Sequence, residues 1–324
     1  MRFRDDMITE LVDLLDETVM KYYDAKKQEG KTLYYFDALT SILEVINSSK
    51  ELLVRNEKTK TEVEILIKEI RTKNYFFEEK RKALLLLEIK GLKHLNYPLD
   101  VITPDTICVI IASLVQSLIE NQEHINIIDP NYGLGNLALI VNEIVQVPMN
   151  WYGVENHERF VNYVRAKTNY LSSELTLYDE DALKQDYPKI DLIISDIAVY
   201  DYDNDEYESE LTKAKITYFP YLLIEKNLNV GDEKTKYLYL INNDFFKQKG
   251  SAFFQKMVDA KGQIAALIML PLDFFQDDNK GKSLIILNKN PKVRETILFM
   301  LPSLDNDEAI LTTMKEIKTF LRSI

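Results

Sequence analysis

The 324-residue chain holds a single cysteine, Cys108, so no disulfide can close within it. That fits a reducing compartment, and a cytoplasmic location is expected. Its three histidines, His94, His124 and His157, are scattered without the spacing of metal ligands, so no metal site is expected. No uninterrupted apolar run approaches the roughly 20 residues that cross a bilayer, and the opening Met-Arg-Phe-Arg-Asp-Asp lacks the apolar stretch of a secretory signal. No membrane association is expected. Excess basic charge is missing too. The formal net charge is −12. Residues 1–100 hold 18 Lys and Arg against 19 Asp and Glu, leaving 22 against 33 for residues 101–324. Proteins that grip nucleic-acid phosphates usually present basic surfaces, and the second half does the opposite.

What is present suits a soluble globular protein large enough for two domains, with 46% hydrophobic residues. Residues 1–98 read as an all-helical domain. Met7, Leu11, Leu14, Leu15, Val19 and Tyr22 fall at helical spacing, as do Phe36, Leu39, Ile42, Leu43 and Ile46, and then Val63, Leu66, Ile67 and Ile70. Gly30 separates the first two helices, and Gly91 with Pro98 marks the exit. Cations from Lys50 to Lys82 alternate with Glu51, Glu57, Glu62, Glu64, Glu69, Glu78 and Glu79, which predicts solvated mixed-charge helix surfaces and not a nucleic-acid face.

A second domain is expected over residues 99–324, and from about residue 103 its pattern alternates helices with short apolar strands. Strands are predicted near 125–129, 150–155, 174–178, 191–196, 235–241, 263–269 and 282–288, with helices near 105–120, 136–146, 157–171, 217–229 and 250–260. Such alternation predicts an α/β fold of Rossmann type, with a mostly parallel seven-stranded sheet and an antiparallel hairpin at its end. The run 296–301 offers an additional edge strand, and 307–324 a closing helix. Cys108 and Trp151 read as core packing.

The stretch Ile125 to Leu137 stands at the centre of this second domain. It predicts a buried strand ending at Asp129, a turn made by Gly133 and Gly135, and a helix opening at Asn136. Two glycines one residue apart allow positive φ and a close ligand, and the helix start favours a polar or anionic group. The predicted strands finish in acids: Asp129, Glu155, Asp196 and, shortly after the third, Asp181. Ligands of open α/β sheets sit beyond the carboxyl ends of the strands, and Glu155 follows Gly135 by the 20 residues at which nucleotide-binding units place a ribose-binding carboxylate. Each acid also has a plainer reading. Asp129 could cap a helix, Glu155 could open one, and Asp179 competes with Asp181. Asp196, ending the buried run Asp191-Leu-Ile-Ile-Ser-Asp, is the least ambiguous.

Asp129-Pro130-Asn131-Tyr132-Gly133-Leu134-Gly135-Asn136-Leu137 matches every fixed place of Asp-Pro-x-x-Gly-x-Gly-x-Leu. Thr103-Pro104 matches a Thr-Pro pair opening an upstream helix, and Phe-Phe-Gln followed by Gly281-Lys282-Ser283 is similar to a closing hairpin. Over residues 100–290 the chain therefore resembles the class I S-adenosylmethionine-dependent methyltransferases, in the adenine amino-group (N6-adenine DNA methylase-like) branch. The resemblance implies S-adenosylmethionine as cofactor. Its residues would be Asp129, Gly133 and Gly135 at the methionine portion, Glu155 at the two ribose hydroxyls and Asp181, with Ala182 beside it, at the adenine amino group, with Thr103, Asn131, Asn136 and Asn156 completing the cofactor-binding set. Asp196 and the Ile197 carbonyl would be catalytic, orienting an acceptor amine by its hydrogens.

The catalytic run departs from the family pattern of Asn or Asp, Pro, Pro and an aromatic. Here it is Asp196-Ile197-Ala198-Val199-Tyr200, without prolines and with the aromatic one place late. Asp201 to Glu210 adds six acids beside it, which disfavours a phosphate backbone. The acceptor that the resemblance implies is an adenine-type amine in DNA or RNA. A protein side chain or small molecule stands behind it. The alternatives are a degenerate relative that binds the cofactor or a partner without methylating, and a Rossmann dehydrogenase, with Ala138 at the third glycine place.

Overall fold

The computed structural model describes residues 3–48, 50–203, 206–275, 281–289 and 295–324. Packing divides the chain into two compact units. One comprises residues up to Ile102 together with Gly133–Gly135 and His157–Leu175; the other comprises Thr103–Tyr132, Asn136–Asn156 and Thr176–Ile324.

The first unit is helical: α1 (Asp5–Gln28), α2 (Tyr35–Asn47), α3 (Glu57–Thr72), α4 (Phe77–His94) and, from between two strands of the sheet, α7 (Glu158–Leu171). The spacings read from the sequence bury Leu11, Leu15 and Val19 on α1, Phe36, Leu39 and Ile42 on α2, and Val63, Ile67 and Ile70 on α3. Helix α7 packs on α2. The Phe36 ring stands edge-on to Tyr163 at 5.1 Å, Arg159 pairs with Asp37 at 2.7 Å, and the Asn47 amide donates to the Ala166 carbonyl. The expected mixed-charge surface fails on α4. Glu78 and Arg81 are buried and face each other one turn apart at 2.8 Å, and buried Glu79 takes Arg4 at 2.8 Å. Bidentate guanidinium pairing is what lets these charges leave water.

The second unit holds α5 (Asp105–Leu118), β1 (Ile125–Asp129), α6 (Asn136–Ile144), β2 (Met149–Glu155), β3 (Thr176–Asp179), β4 (Leu192–Asp196), α8 (Glu210–Lys213), α9 (Phe219–Val230), β5 (Lys236–Asn242), α10 (Ser251–Lys261), β6 (Gln263–Met269), β7 (Lys282–Asn288), β8 (Ile297–Met300) and α11 (Asp307–Leu321). The sheet has eight strands, one more than the seven expected, because the run at 296–301 does form the edge strand β8. Its order is β3-β2-β1-β4-β5-β7-β6-β8, parallel except where β7 runs against β5 and β6. Ile128, Ile193, Tyr239 and Ile285 pack with Phe219, Leu222 and Leu223 of α9 and Phe254 of α10. The alternate set, Ile127, Ile194, Leu238 and Ile286, points the other way and is buried as fully, so both faces of the sheet are covered.

Leu99–Leu118 is the one helical stretch among the described residues apolar enough, by length and composition, to cross a membrane. The α-helix in it is only 14 residues, about 21 Å long, and it buries Ile107, Ile111, Leu114 and Val115 in the core.

Candidate functional site

Three adjacent strands, β2, β1 and β4, run parallel and end at Glu155, Asp129 and Asp196. The three carboxylates therefore stand along one rim. Asp129 is 2% exposed and Glu155 9%. Ser195 Oγ donates to Asp129 Oδ1 at 2.7 Å and the Asn131 amide donates to the same oxygen at 2.9 Å. Those bonds do not offset burial, which, with the charges of Asp196 and Glu155 adding to it, pushes the Asp129 carboxyl up to about 7.

The turn after β1 is folded back on its neighbour strand. The Tyr132 amide donates to the Val154 carbonyl, and the Tyr132 ring covers Gly153, where an added Cβ would stand 2.4 Å from the ring. Gly133 and Gly135 follow with φ of 55° and 78°, the left-handed region in which a side chain is strained. Asn131 turns to the run after β4, its Oδ1 accepting the Ala198 amide at 2.6 Å. Asn136 is buried, and its amide group donates to the Thr103 carbonyl at 2.7 Å and to Asp105 at 2.9 Å, fastening α6 to the start of α5.

Asp196 is gripped from two sides. Thr103 Oγ1 donates to Oδ2 at 2.9 Å, and Lys282 Nζ donates to Oδ1 at 2.6 Å. Ile197 is buried, with its amide on the Leu240 carbonyl, and Val199 is exposed. Tyr200 stacks on Phe219 with centroids 4.4 Å apart at 17° and keeps 45% of its surface exposed. Burial, then the charges of Asp181 and Glu155, push its hydroxyl above the usual range, which puts Tyr200 in electrostatic reach of those two acids.

On the β3 side, Asp181 accepts the Leu183 amide at 2.9 Å on one oxygen and the Tyr202 hydroxyl at 2.6 Å on the other. The competing Asp179 ends β3 and is exposed. The Ala182 carbonyl accepts Lys226 Nζ at 2.6 Å, an ammonium that burial pulls down to about 8. Asn156 is exposed, and its amide caps Glu155 Oε1 at 3.0 Å.

No family model matches the chain. The uncharacterized protein YtxK of Bacillus subtilis strain 168 is 28% identical over 311 residues, which cover 93% of this chain and 91% of that protein. Among solved structures, a Listeria monocytogenes protein assigned to the class I S-adenosylmethionine-dependent methyltransferases superposes with a TM-score of 0.87 at 25% identity. The match covers 98% of this chain and 100% of that one. The methyltransferase subunit of a Streptococcus thermophilus type I restriction-modification system matches with a TM-score of 0.64 at 14% identity over 98% of this chain and 75% of its own.

The chain has the class I S-adenosylmethionine-dependent methyltransferase fold.

Within that fold the residues missed by sequence reasoning are Ser195, Tyr202, Lys226 and, above all, Lys282. One signal was available for Lys282: an antiparallel strand starts where its parallel neighbours end, so the first residue of β7 belongs to the acid-bearing rim.

A cavity of about 390 Å³ opens beyond β4, lined among others by Val199, Tyr200, Lys215, Tyr218, Gln248 and Lys249. The acidic segment beside it is partly neutralised. Lys184 pairs with Glu206, Lys213 with Glu208 at 3.8 Å and Lys261 with Glu210 at 2.8 Å. Asp205 of that segment and Gln276 of the Phe-Phe-Gln run lie outside the described residues. A larger cavity in the helical unit, about 640 Å³, is bordered by Lys50, Arg71, Lys73, Lys80 and Arg165. Its charges are largely spent, with Lys50 on Glu44, Lys73 on Glu69 and Glu10, and Arg71 on the carbonyls of Val45, Ile46 and Ser48.

Proposed function

We propose that the protein is an S-adenosylmethionine-dependent methyltransferase whose acceptor is an amino group on a planar, phosphate-bearing ring, of which an adenine in nucleic acid is the leading case. The observation that supports it most is the row of carboxylates at the ends of β2, β1 and β4, with Asp129 buried at a cost that a cationic ligand would relieve. The cofactor, when bound, supplies an electrophilic methyl on a sulfonium.

The residues fit it. Glu155 accepts from two vicinal hydroxyls, Asp129 faces the ammonium of an amino-acid portion, and Asp181 accepts from a ring amino group while its neighbouring loop is tied to Lys226. Gly133 and Gly135 supply the two backbone positions at positive φ. Asp196, pinned by Thr103 and Lys282, accepts a hydrogen of the acceptor amine. A carboxylate offers about four lone-pair sites, so two donors do not exhaust it. Holding the amine there would orient its lone pair for attack, and Asp196 would be in place to take the proton that the methylated nitrogen sheds. Lys282 cancels the Asp196 charge, so the acceptor that fits is a neutral amine. Tyr200, backed by Phe219, offers an exposed ring face for stacking, and Lys215 with Lys249 can meet a phosphate at the cavity beside it. A type I restriction-modification methyltransferase subunit shares the fold, which supports nucleic acid as the substrate class to test first.

Incubation with S-adenosylmethionine labelled in the methyl group, against single-stranded DNA, RNA, free nucleotides and cell extract, tests the proposal. Label should enter a nucleic acid or nucleotide and should not with Asp196→Ala. One observation favours a second reading, a relative that binds the cofactor without transfer. Both Asp196 oxygens already have donors, and Ala198-Val199 replaces the proline and aromatic places. Cofactor binding with no labelled product in any fraction would select it.

A further inference from the structure

Inside the helical unit lies a charged cluster that packing alone does not call for. Glu88 of α4 is 0% exposed and Lys167 of α7 1%, and Lys167 Nζ meets Glu88 Oε1 at 2.6 Å. The buried Tyr163 hydroxyl donates to the same oxygen at 2.9 Å, while Glu88 Oε2 has no hydrogen-bond partner among the described residues. Desolvating two charges is expensive, and apolar residues of similar shape usually serve a core as well or better. A buried pair of this kind therefore calls for a task other than cohesion.

The task is visible in another partner of the ammonium. Lys167 Nζ donates at 2.9 Å to the carbonyl of Leu134. Leu134 stands between Gly133 and Gly135, the two positive-φ residues of the glycine turn. Gly-x-Gly in that region is the least self-ordering backbone there is, since glycine visits either sign of φ freely. Residues Gly133–Gly135 cluster with the helices, and a Cβ added at Gly133 would be in ordinary contact with the Val101 carbonyl at 3.4 Å.

We propose that Glu88 and Lys167 form a clamp that presets the glycine turn for the amino-acid portion of the cofactor, and that supplying this clamp is a function of the helical unit. This rests on the cofactor assignment above. Lys167 is a positioning residue, held in place by Glu88 and acting through the Leu134 carbonyl. A turn that holds the competent geometry only a tenth of the time binds about tenfold more weakly.

The test uses the full chain with Glu88→Met and Lys167→Met combined, which removes both charges at once and leaves a core of similar volume. Thermal unfolding should occur at or above the wild-type temperature. Affinity for S-adenosylmethionine should fall at least about tenfold, whereas 5′-methylthioadenosine, which has the nucleoside but no amino-acid portion, should bind as to wild type. Amide hydrogen exchange at residues 133–136 should quicken. Unchanged exchange together with unchanged S-adenosylmethionine affinity would overturn the clamp, as would equal losses for both ligands. If wild type binds neither ligand, the cofactor assignment fails, and exchange at 133–136 alone still decides whether the clamp orders the turn.

Discussion

Replacing Asp129 by asparagine should make the protein more stable and a worse binder, and the size of both effects follows from one buried carboxyl. Folding raises the Asp129 carboxyl from its ordinary 3.8 to about 7. Between those values the folded state keeps a proton that the unfolded chain has released, so stability falls as pH rises from about 4 to 7 and is level above. Roughly three pH units at 1.36 kcal/mol each give a cost of about 4 kcal/mol at neutral pH. Asp129→Asn keeps an oxygen for Ser195 and the Asn131 amide and has no charge to bury. Its unfolding free energy should exceed wild type by about 1–4 kcal/mol at pH 7.5, with the advantage gone near pH 4. A cationic cofactor needs the ionised form. With half-ionisation near 7, about a tenth of the sites are charged at pH 6 and nine-tenths at pH 8, so affinity should rise about tenfold across that range. At pH 7 about half a proton should be released per ligand bound. Titration calorimetry at pH 6, 7 and 8, in buffers of different ionisation enthalpy, measures both quantities. Subtracting the Asp129→Asn profile removes any titration of the ligand itself. Identical pH profiles for the two proteins, or a variant less stable than wild type at pH 7.5, would refute the reasoning.

Three further substitutions separate the parts of the site. Gly135→Val puts a branched residue at φ 78°, at a strain of about 1–3 kcal/mol, and should abolish S-adenosylmethionine binding in a calorimetric titration while circular dichroism stays native. Lys282→Met leaves Asp196 without its cation. It should lower the unfolding free energy in urea by about 1–3 kcal/mol at neutral pH, a loss that Asp196→Asn in the same chain should partly restore. Tyr200→Ala removes the exposed ring face and should raise the KM for the acceptor about tenfold or more, with the cofactor Kd unchanged; a shift in the cofactor Kd instead would move Tyr200 out of the acceptor site.

Much of the sheet was legible because its central strands are buried on both faces and so appear as short, continuous apolar runs. The acids stood out for the same reason: Asp129, Glu155 and Asp196 each end such a run, where a charge has no place in the core. Asp181 lies two residues beyond the end of β3, in the turn, which is why Asp179 competed with it. The contacts across the site were not legible. Lys282 and Asp196 are 86 residues apart in sequence, and their meeting depends on β7 lying between β5 and β6, a strand order that periodicity does not carry. Lys167 and Glu88 are likewise 79 residues apart. Lys167 sits in a helix with an ordinary amphipathic pattern, and a lysine in such a helix is expected on its solvated face. Helix α7 was legible as a helix, but not its packing on α2, because the aromatic stripe Phe160 and Tyr163 would suit the sheet equally well.

Binding of S-adenosylmethionine to the purified wild-type chain and to Glu155→Ala, by calorimetry at pH 8, tests the cofactor assignment most directly. Wild type should bind one equivalent, and the variant, which loses the acceptor for two ribose hydroxyls, should bind at least about tenfold more weakly. No binding by wild type, or equal binding by both, would contradict it.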